Sequence, residues 1–298
     1  MKESEETMAM PNDQGEQSGT YFIEAENAAE MARLLKQDLS FTRDLGGPLP
    51  ERSDLTGIHD VLDIACGPGA WAMELARSQP DIQVTGGDIS RLMIEYARTQ
   101  AQQQGLHNAR FQLMDALQPL AFADKSFDLV NIRLIFGFMP TEAWPKLIQE
   151  CVRITRPGGV IRLSELEMGI TNGPRSEQMS SLFTQALKRA GKSFSPDGRH
   201  IGIVSMLGKF LRTAGCLHVR NQAYALDYST GSEGYAAGYE NIMVLFKLIQ
   251  PLLVRTGVTT QQEVNILYQQ VMEEMQGDDF CAVIFYITTW GEIPEHAV

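Results

Sequence analysis

The spacing of apolar and polar positions changes several times along this chain, and each change predicts an element. Ala28, Met31, Ala32, Leu35 and Leu39 recur at helical spacing and predict one helix with an apolar stripe. Gly46, Gly47, Pro48 and Pro50 then interrupt the chain. Short apolar runs at 61–65, 82–87, 109–114, 127–133 and 160–166 predict strands. Amphipathic stretches at 71–78, 91–104 and 142–154 lie between them and predict helices, with Ser90 and Thr141 standing where N-caps belong. Strand and helix in alternation imply a parallel sheet covered on both faces, a doubly wound α/β fold.

The pattern then changes. Met179, Leu182, Phe183, Ala186, Leu187 and Ala190 form a helical stripe that Gly191 is placed to end. A second helix is expected at 204–214, a strand at 216–226, helices at 234–254 and 261–275, and a closing strand at 280–290. Thr260 and Glu263 have capping-box spacing at the start of the last helix. The helical stretch 230–276 reads as a cap inserted between two late strands. Residues 1–20 are polar and acidic and are expected to form a disordered leader, with 21–50 as an N-terminal lid and 51–298 as the main domain.

Charge and cysteine usage remove several function classes. The formal net charge is −12 and the Lys and Arg residues are scattered singly, so a phosphate backbone would be repelled and no nucleic-acid partner is expected. No window approaches the roughly 20 apolar residues of a bilayer span, and no basic start precedes an apolar core, so neither a membrane partner nor secretion is expected. Cys66, Cys151, Cys216 and Cys281 lie far apart without C-x-x-C spacing. That suits a reducing, cytoplasmic setting better than a zinc site or a disulfide framework.

The most informative segment is Val61-Leu62-Asp63-Ile64-Ala65-Cys66-Gly67-Pro68-Gly69-Ala70-Trp71. A strand runs through a turn with two glycines into a helix, so main chain passes close to a ligand and unpaired N–H groups face it. Asp88 ends the second strand, where a carboxylate can accept from both ribose hydroxyls. Asp115 ends the third and can accept from an adenine amino group, beside the main-chain N–H of Ala116. Any one of these could be a strand terminator or a helix-start acid. Three at successive strand ends make an adenosine surface. Gly67-x-Gly69-x-x-Ala72 also satisfies the dinucleotide fingerprint, which keeps a nicotinamide oxidoreductase in play. Against it stand Asp63 within the first strand, the Asp115-Ala116 pair, and Arg156-Pro157-Gly158-Gly159 before the fifth strand.

As an ordered set, VLDIACGPGAW, GGDIS, LMDAL, FDLVNIR and RITRPGGVIRLSE resemble the motifs of class I S-adenosylmethionine-dependent methyltransferases, over residues 60–167. The resemblance implies a Rossmann-like sheet with an antiparallel last strand and S-adenosyl-L-methionine as cofactor. It places Ala65, Gly67 and Gly69 at the methionine portion, Asp88 at the ribose, and Asp115 and Ala116 at the adenine. Ile89 and Met93 would pack on the adenosine, and Asn131, Arg133 and Leu134 would lie near the sulfonium. The flanks NAAEMARLLKQD, NIRLIFGFMP and FCAVIFYITTW are similar to bacterial methyltransferases that modify terpenoids and other natural products. That class implies methylation of an alkene carbon, with a carbocation that can cyclise before it loses a proton.

No residue stands out as a catalytic base, so the catalytic residues stay unassigned. His200, in the loop after a cap helix, is the one histidine placed to face a substrate, although a solvated loop histidine is the commoner use of such a position. Phe136 and Phe138 after the fourth strand, Tyr21 and Phe22 at the leader, and Ile170 and Phe183 after the fifth strand are candidates for an apolar acceptor pocket. Arg133 could meet the donor carboxylate, a substrate anion or a surface acid. Glu165 and Glu167 share one strand face, but hydrogen bonding explains them better than a metal, and none is expected. The reading is methyl transfer to a small hydrophobic natural product at a prenyl or terpenoid alkene. O- or N-methylation of an aromatic metabolite and a non-catalytic cofactor-binding protein remain as alternatives. The leader and the insertion are the surfaces open to homo-oligomerisation.

Overall fold

The chain is described here by a computed structural model covering residue 23 and residues 26–295. The leader 1–20 and the candidates Tyr21 and Phe22 lie outside the described residues. Five parallel strands form the sheet: β1 (Asp60–Ile64), β2 (Gln83–Asp88), β3 (Ala109–Leu113), β4 (Phe127–Arg133) and β5 (Thr155–Leu166). β6 (Ile170–Thr171) is a short addition that pairs with β8 (Ala282–Glu292), as β7 (Leu217–Asp227) does at the far edge. The order is β3-β2-β1-β4-β5-β8-β7, and β8 runs antiparallel to β5 as expected. The chain leaves β1 toward β2 and β3 and returns as β4 on the other side of β1. That reversal opens a crevice at the carboxyl ends of β1 and β4.

Burial on both faces makes the strands apolar throughout. Val61, Leu129 and Val160 point into one core with Trp71 and Ile94, while their neighbours Leu62, Val130 and Ile161 point into the other. The helices α2 (Ala70–Ser78), α3 (Arg91–Gln103), α5 (Pro174–Arg189) and α9 (Gln261–Met275) form where the apolar spacing predicts them. Ser90 accepts the Met93 N–H at 3.2 Å as an N-cap, and the Thr260–Glu263 capping box is present.

Four local expectations need correction. α4 (Trp144–Ile154) starts after Ala143, with Pro145 in its first turn, so Thr141 does not cap it and its N–H bonds Gly191 O instead. α6 (Leu207–Thr213) begins later than its apolar pattern. The stretch 234–254 is two helices, α7 (Tyr235–Leu248) and α8 (Gln250–Arg255), because Pro251 supplies no N–H to continue the first. α1 (Ala28–Asp44) forms, capped by Asn27, but its predicted stripe is not its buried face: Ala28, Ala32 and Leu39 are exposed, while Glu30, Arg33 and Phe41 are buried.

Candidate active site

The glycine loop has the backbone its sequence requires. Ala65, Gly67 and Gly69 all have positive φ, at 56°, 53° and 80°. A Cβ on Gly69 would come within 2.6 Å of the Phe111 ring, so only glycine fits there. A Cβ on Gly67 would meet only Met93 Sδ at 3.8 Å, which leaves the main chain open to a ligand. Asp88 Oδ2 accepts the Gly67 N–H and Oδ1 accepts the Ser90 N–H, both at 2.9 Å. One carboxylate therefore ties the loop to the start of α3. Burial raises the Asp88 pKa, opposed by the N–H groups of Ser90 and Gly67. Glu26 reaches the first turn of α3 as well, accepting the N–H groups of Arg91 and Leu92 at 2.8 and 3.0 Å.

Met93 is buried beneath this loop and Ile89 is 60% exposed beside it. Asp115 turns back to accept the Leu117 N–H at 2.9 Å, with Ala116 half-buried between them. The expected donor residues thus meet at neighbouring strand ends. Asn131 is the exception: it lies in mid-strand, fully buried, with its side chain engaged on both sides. It donates to Asp63 Oδ1 at 2.7 Å and accepts from Arg162 Nη1 at 2.8 Å, and Arg162 is held in turn by Glu51 Oε1 at 2.6 Å. The result is a polar row across β1, β4 and β5 under the crevice, so the side chain of Asn131 supports the floor of the site. Within this row burial pushes the Asp63 carboxyl up to about 7, partly offset by Arg133.

Arg133 ends β4 beside Trp71 and pairs with Asp38 of α1. Its Nε is buried without a hydrogen-bond partner among the described residues.

Beyond β4 lies a cavity lined mainly by apolar side chains. Leu134 and Phe136 form one wall, Phe183 another, and Phe41, Leu245 and Ile284 close it. Leu134 takes a φ of 55°, and the Phe136 and Phe183 rings meet edge to face at 6.5 Å. α1 and α7 form the roof, joined by Arg33, whose Nε and Nη2 grip Glu30 at 2.6 and 2.7 Å while Nη1 reaches Asn241 at 2.8 Å. Of the titratable lining residues, Glu167 accepts the N–H groups of Ile201 and Gly202 at 2.8 and 2.7 Å. Its carboxyl is raised, chiefly by burial. Burial also pushes the Tyr228 phenol well up.

Three acceptor candidates fall outside this lining. Phe138 packs into the core, because the turn after Ile135 directs it away. Ile170 is 63% exposed, since its neighbours Gly169 and Thr171 take the wall positions. His200 is exposed outside the lining; its carbonyl accepts from Ser193 Oγ, and its ring acts on the carboxylate of the lining residue Glu167, partly offsetting the effect of burial there. Sequence reasoning missed Gln37, Phe41, Asn241 and Phe280, which line the cavity from elements far apart in the chain. Among the described residues no cluster of three or more His, Cys, Asp or Glu could hold a metal ion. No described helix is long and apolar enough to cross a membrane.

Residues 61–159 match the family model described as a methyltransferase domain, which spans β1 to the first part of β5. Methyltransferase GfsG of Streptomyces halstedii is 35% identical over 119 residues, 40% of this chain and 41% of that protein's own length. Demethylmenaquinone methyltransferase of Geobacillus stearothermophilus is 28% identical over 185 residues, 59% of this chain and 78% of the relative. Phosphoethanolamine N-methyltransferase 2 of Haemonchus contortus, solved with S-adenosylhomocysteine, shares the fold at a TM-score of 0.53 and 15% identity, over 90% of this chain and 58% of that one.

Proposed function

Because this chain carries a class I S-adenosylmethionine-dependent methyltransferase domain, we propose that it methylates a small hydrophobic natural product at an alkene carbon of a prenyl or terpenoid group. The observation that carries the reading is the cavity lining: its walls are aromatic and aliphatic, and Arg33 is committed to Glu30. An alkene needs no deprotonation before it is methylated. Bound at the glycine loop, S-adenosylmethionine supplies an electrophilic methyl group.

The residues of the chain then have three tasks. The α1–α7 roof and the walls around Phe136 and Phe183 hold the acceptor close to the end of β4 and exclude water, the larger part of what such a displacement asks of a protein. The aromatic walls of Phe41, Phe136 and Phe183 favour positive charge on the alkene carbon adjacent to the one that receives the methyl group. Glu167 keeps spare lone pairs on both oxygens and takes up the proton that the acceptor cation sheds, with or without prior ring closure.

O- or N-methylation of an aromatic metabolite is the second reading, favoured by the same Glu167, which could take a hydroxyl or ammonium proton before transfer. Mass spectrometry of reactions with S-adenosylmethionine, offering prenylated indoles beside phenols and amines, separates the two. A methylated or cyclised product with a new carbon–carbon bond is expected. Methylation of phenols or amines alone would overturn the alkene reading and make Glu167 the base.

A further inference from the structure

Several polar side chains that line the acceptor cavity are already engaged. Ser176 Oγ donates to Glu274 Oε2 at 2.7 Å, Thr171 Oγ1 donates to Gly173 O at 3.2 Å, and Arg33 is paired with Glu30. Ser180 on α5 makes no side-chain hydrogen bond among the described residues, but a helical hydroxyl can turn back to the carbonyl four residues earlier. Two amides on the roof differ from all of these. Gln37 of α1 and Asn241 of α7 both line the cavity and are half-buried, so neither is sealed in the core. The Gln37 side chain makes no hydrogen bond among the described residues. Asn241 makes one, which it accepts from Arg33 Nη1 at 2.8 Å.

That single bond fixes the chemistry of Asn241. A guanidinium has only N–H groups to give, so the atom of Asn241 that faces Arg33 is its amide oxygen, and both N–H groups of Nδ2 stay open. Arg33, Gln37 and Phe41 follow one another at four-residue spacing along α1, which sets Gln37 between the Asn241 tie and an apolar ring. Arg33, Gln37, Phe41 and Asn241 also line a groove on the outer side of α1 and α7, so cavity and groove adjoin at this seam. The cations that line the groove each have a carboxylate partner: Arg33 with Glu30, Lys36 with Glu240, and Arg43 with Asp44.

We propose that Gln37 and Asn241 determine acceptor specificity, donating hydrogen bonds at the seam to a neutral oxygen of the acceptor while its apolar body fills the cavity. This rests on the hydrophobic-acceptor reading above and narrows it to oxygenated terpenoids and prenylated compounds that carry a hydroxyl, ketone or amide carbonyl. A bare hydrocarbon leaves the amide donors unpaired, and a prenyl diphosphate brings charge that the paired cations do not meet.

Equilibrium calorimetry with three ligands of one terpene skeleton, in the presence of S-adenosylhomocysteine, tests this: geraniol, the hydrocarbon myrcene and geranyl diphosphate. The unmodified protein should bind geraniol about tenfold more tightly than myrcene, and more tightly than the diphosphate. Asn241→Asp keeps an oxygen for Arg33 but removes the N–H donors, and Gln37→Met removes the amide at nearly constant volume. Each should lose most of the preference for geraniol with myrcene affinity unchanged. Equal affinity for geraniol and myrcene in the unmodified protein would overturn the proposal. Equal weakening of both ligands in the variants would also overturn it and make the two amides packing residues of the roof. Tightest binding of the diphosphate would refute the neutral oxygen. If Asn241→Asp does not fold, Gln37→Met decides by the same criterion. Binding of none of the three is a separate result that removes the terpenoid-acceptor reading itself.

Discussion

On the donor side, Gly67, Gly69 and Asp88 are placed by the main chain itself, through positive φ angles and N–H bonds made within one strand–loop–helix unit and its neighbour. On the acceptor side, the walls come from α1, the turn after β4, α5, α7 and β8, brought together by side-chain packing across the whole chain. A backbone requirement names its residue: only glycine tolerates the position of Gly69 against Phe111. A packing requirement names only a size and a polarity, so many sequences build similar walls. The first side therefore carries the family's signature, and the second is free to select a substrate.

If the two sides are separable, the largest effect belongs to the acceptor wall. Phe183→Ala, at a fully buried ring, should cost about 3–5 kcal/mol in urea unfolding while the surviving folded protein keeps its donor affinity. A parallel loss of S-adenosylhomocysteine binding in calorimetry would break the comparison. Next comes Asp88→Ala, which should weaken donor binding by about 1.5–3 kcal/mol through lost charge-assisted hydrogen bonds. Donor affinity unchanged in the folded variant would remove Asp88 from the ribose role.

A pH effect of similar or smaller size distinguishes the acids beneath each side. Burial pushes Asp63, under the donor crevice, up to about 7, and Glu165, behind the acceptor loop, up to about 8. The folded state therefore keeps protons that the unfolded chain releases above about pH 4. Stability falls as pH rises from there through these values and levels off above them. Urea melts should show stability falling steadily between about pH 5 and pH 8. Asp63→Asn should remove the part of the slope that ends near 7, and Glu165→Gln the part that ends near 8. A slope that neither variant alters would show these carboxyls to be ionised throughout.

The smallest effect is a control. Thr260→Ala removes the capping hydroxyl of α9 and should cost about 1 kcal/mol in thermal unfolding, without touching donor affinity.

What could be read in the sequence follows the same division. The parallel strands, the glycine turn and the acids at strand ends were legible because each rests on local spacing. α1 shows where that reasoning stops. Its apolar stripe is partly exposed, and its buried face includes Glu30 and Arg33, a pair that neutralises itself and reaches Asn241 on α7. No local pattern announces that partner, which lies 208 residues away. Asp38 was invisible for the same reason, since Arg133 stands 95 residues downstream. Ile170 and Asn131 failed differently. Both lie in segments next to the site, but strand alternation turned Ile170 outward and Asn131 onto the buried sheet face where it bonds Asp63 and Arg162.

The central claim is that the glycine loop with Asp88 is a seat for S-adenosylmethionine rather than for a dinucleotide. Equilibrium titration of the unmodified protein with S-adenosylhomocysteine, and in parallel with NAD, tests it most directly. The account predicts saturable one-to-one binding of S-adenosylhomocysteine and none of NAD at the same concentrations. Binding of NAD without S-adenosylhomocysteine would contradict it and return the fold to the oxidoreductases that share its fingerprint.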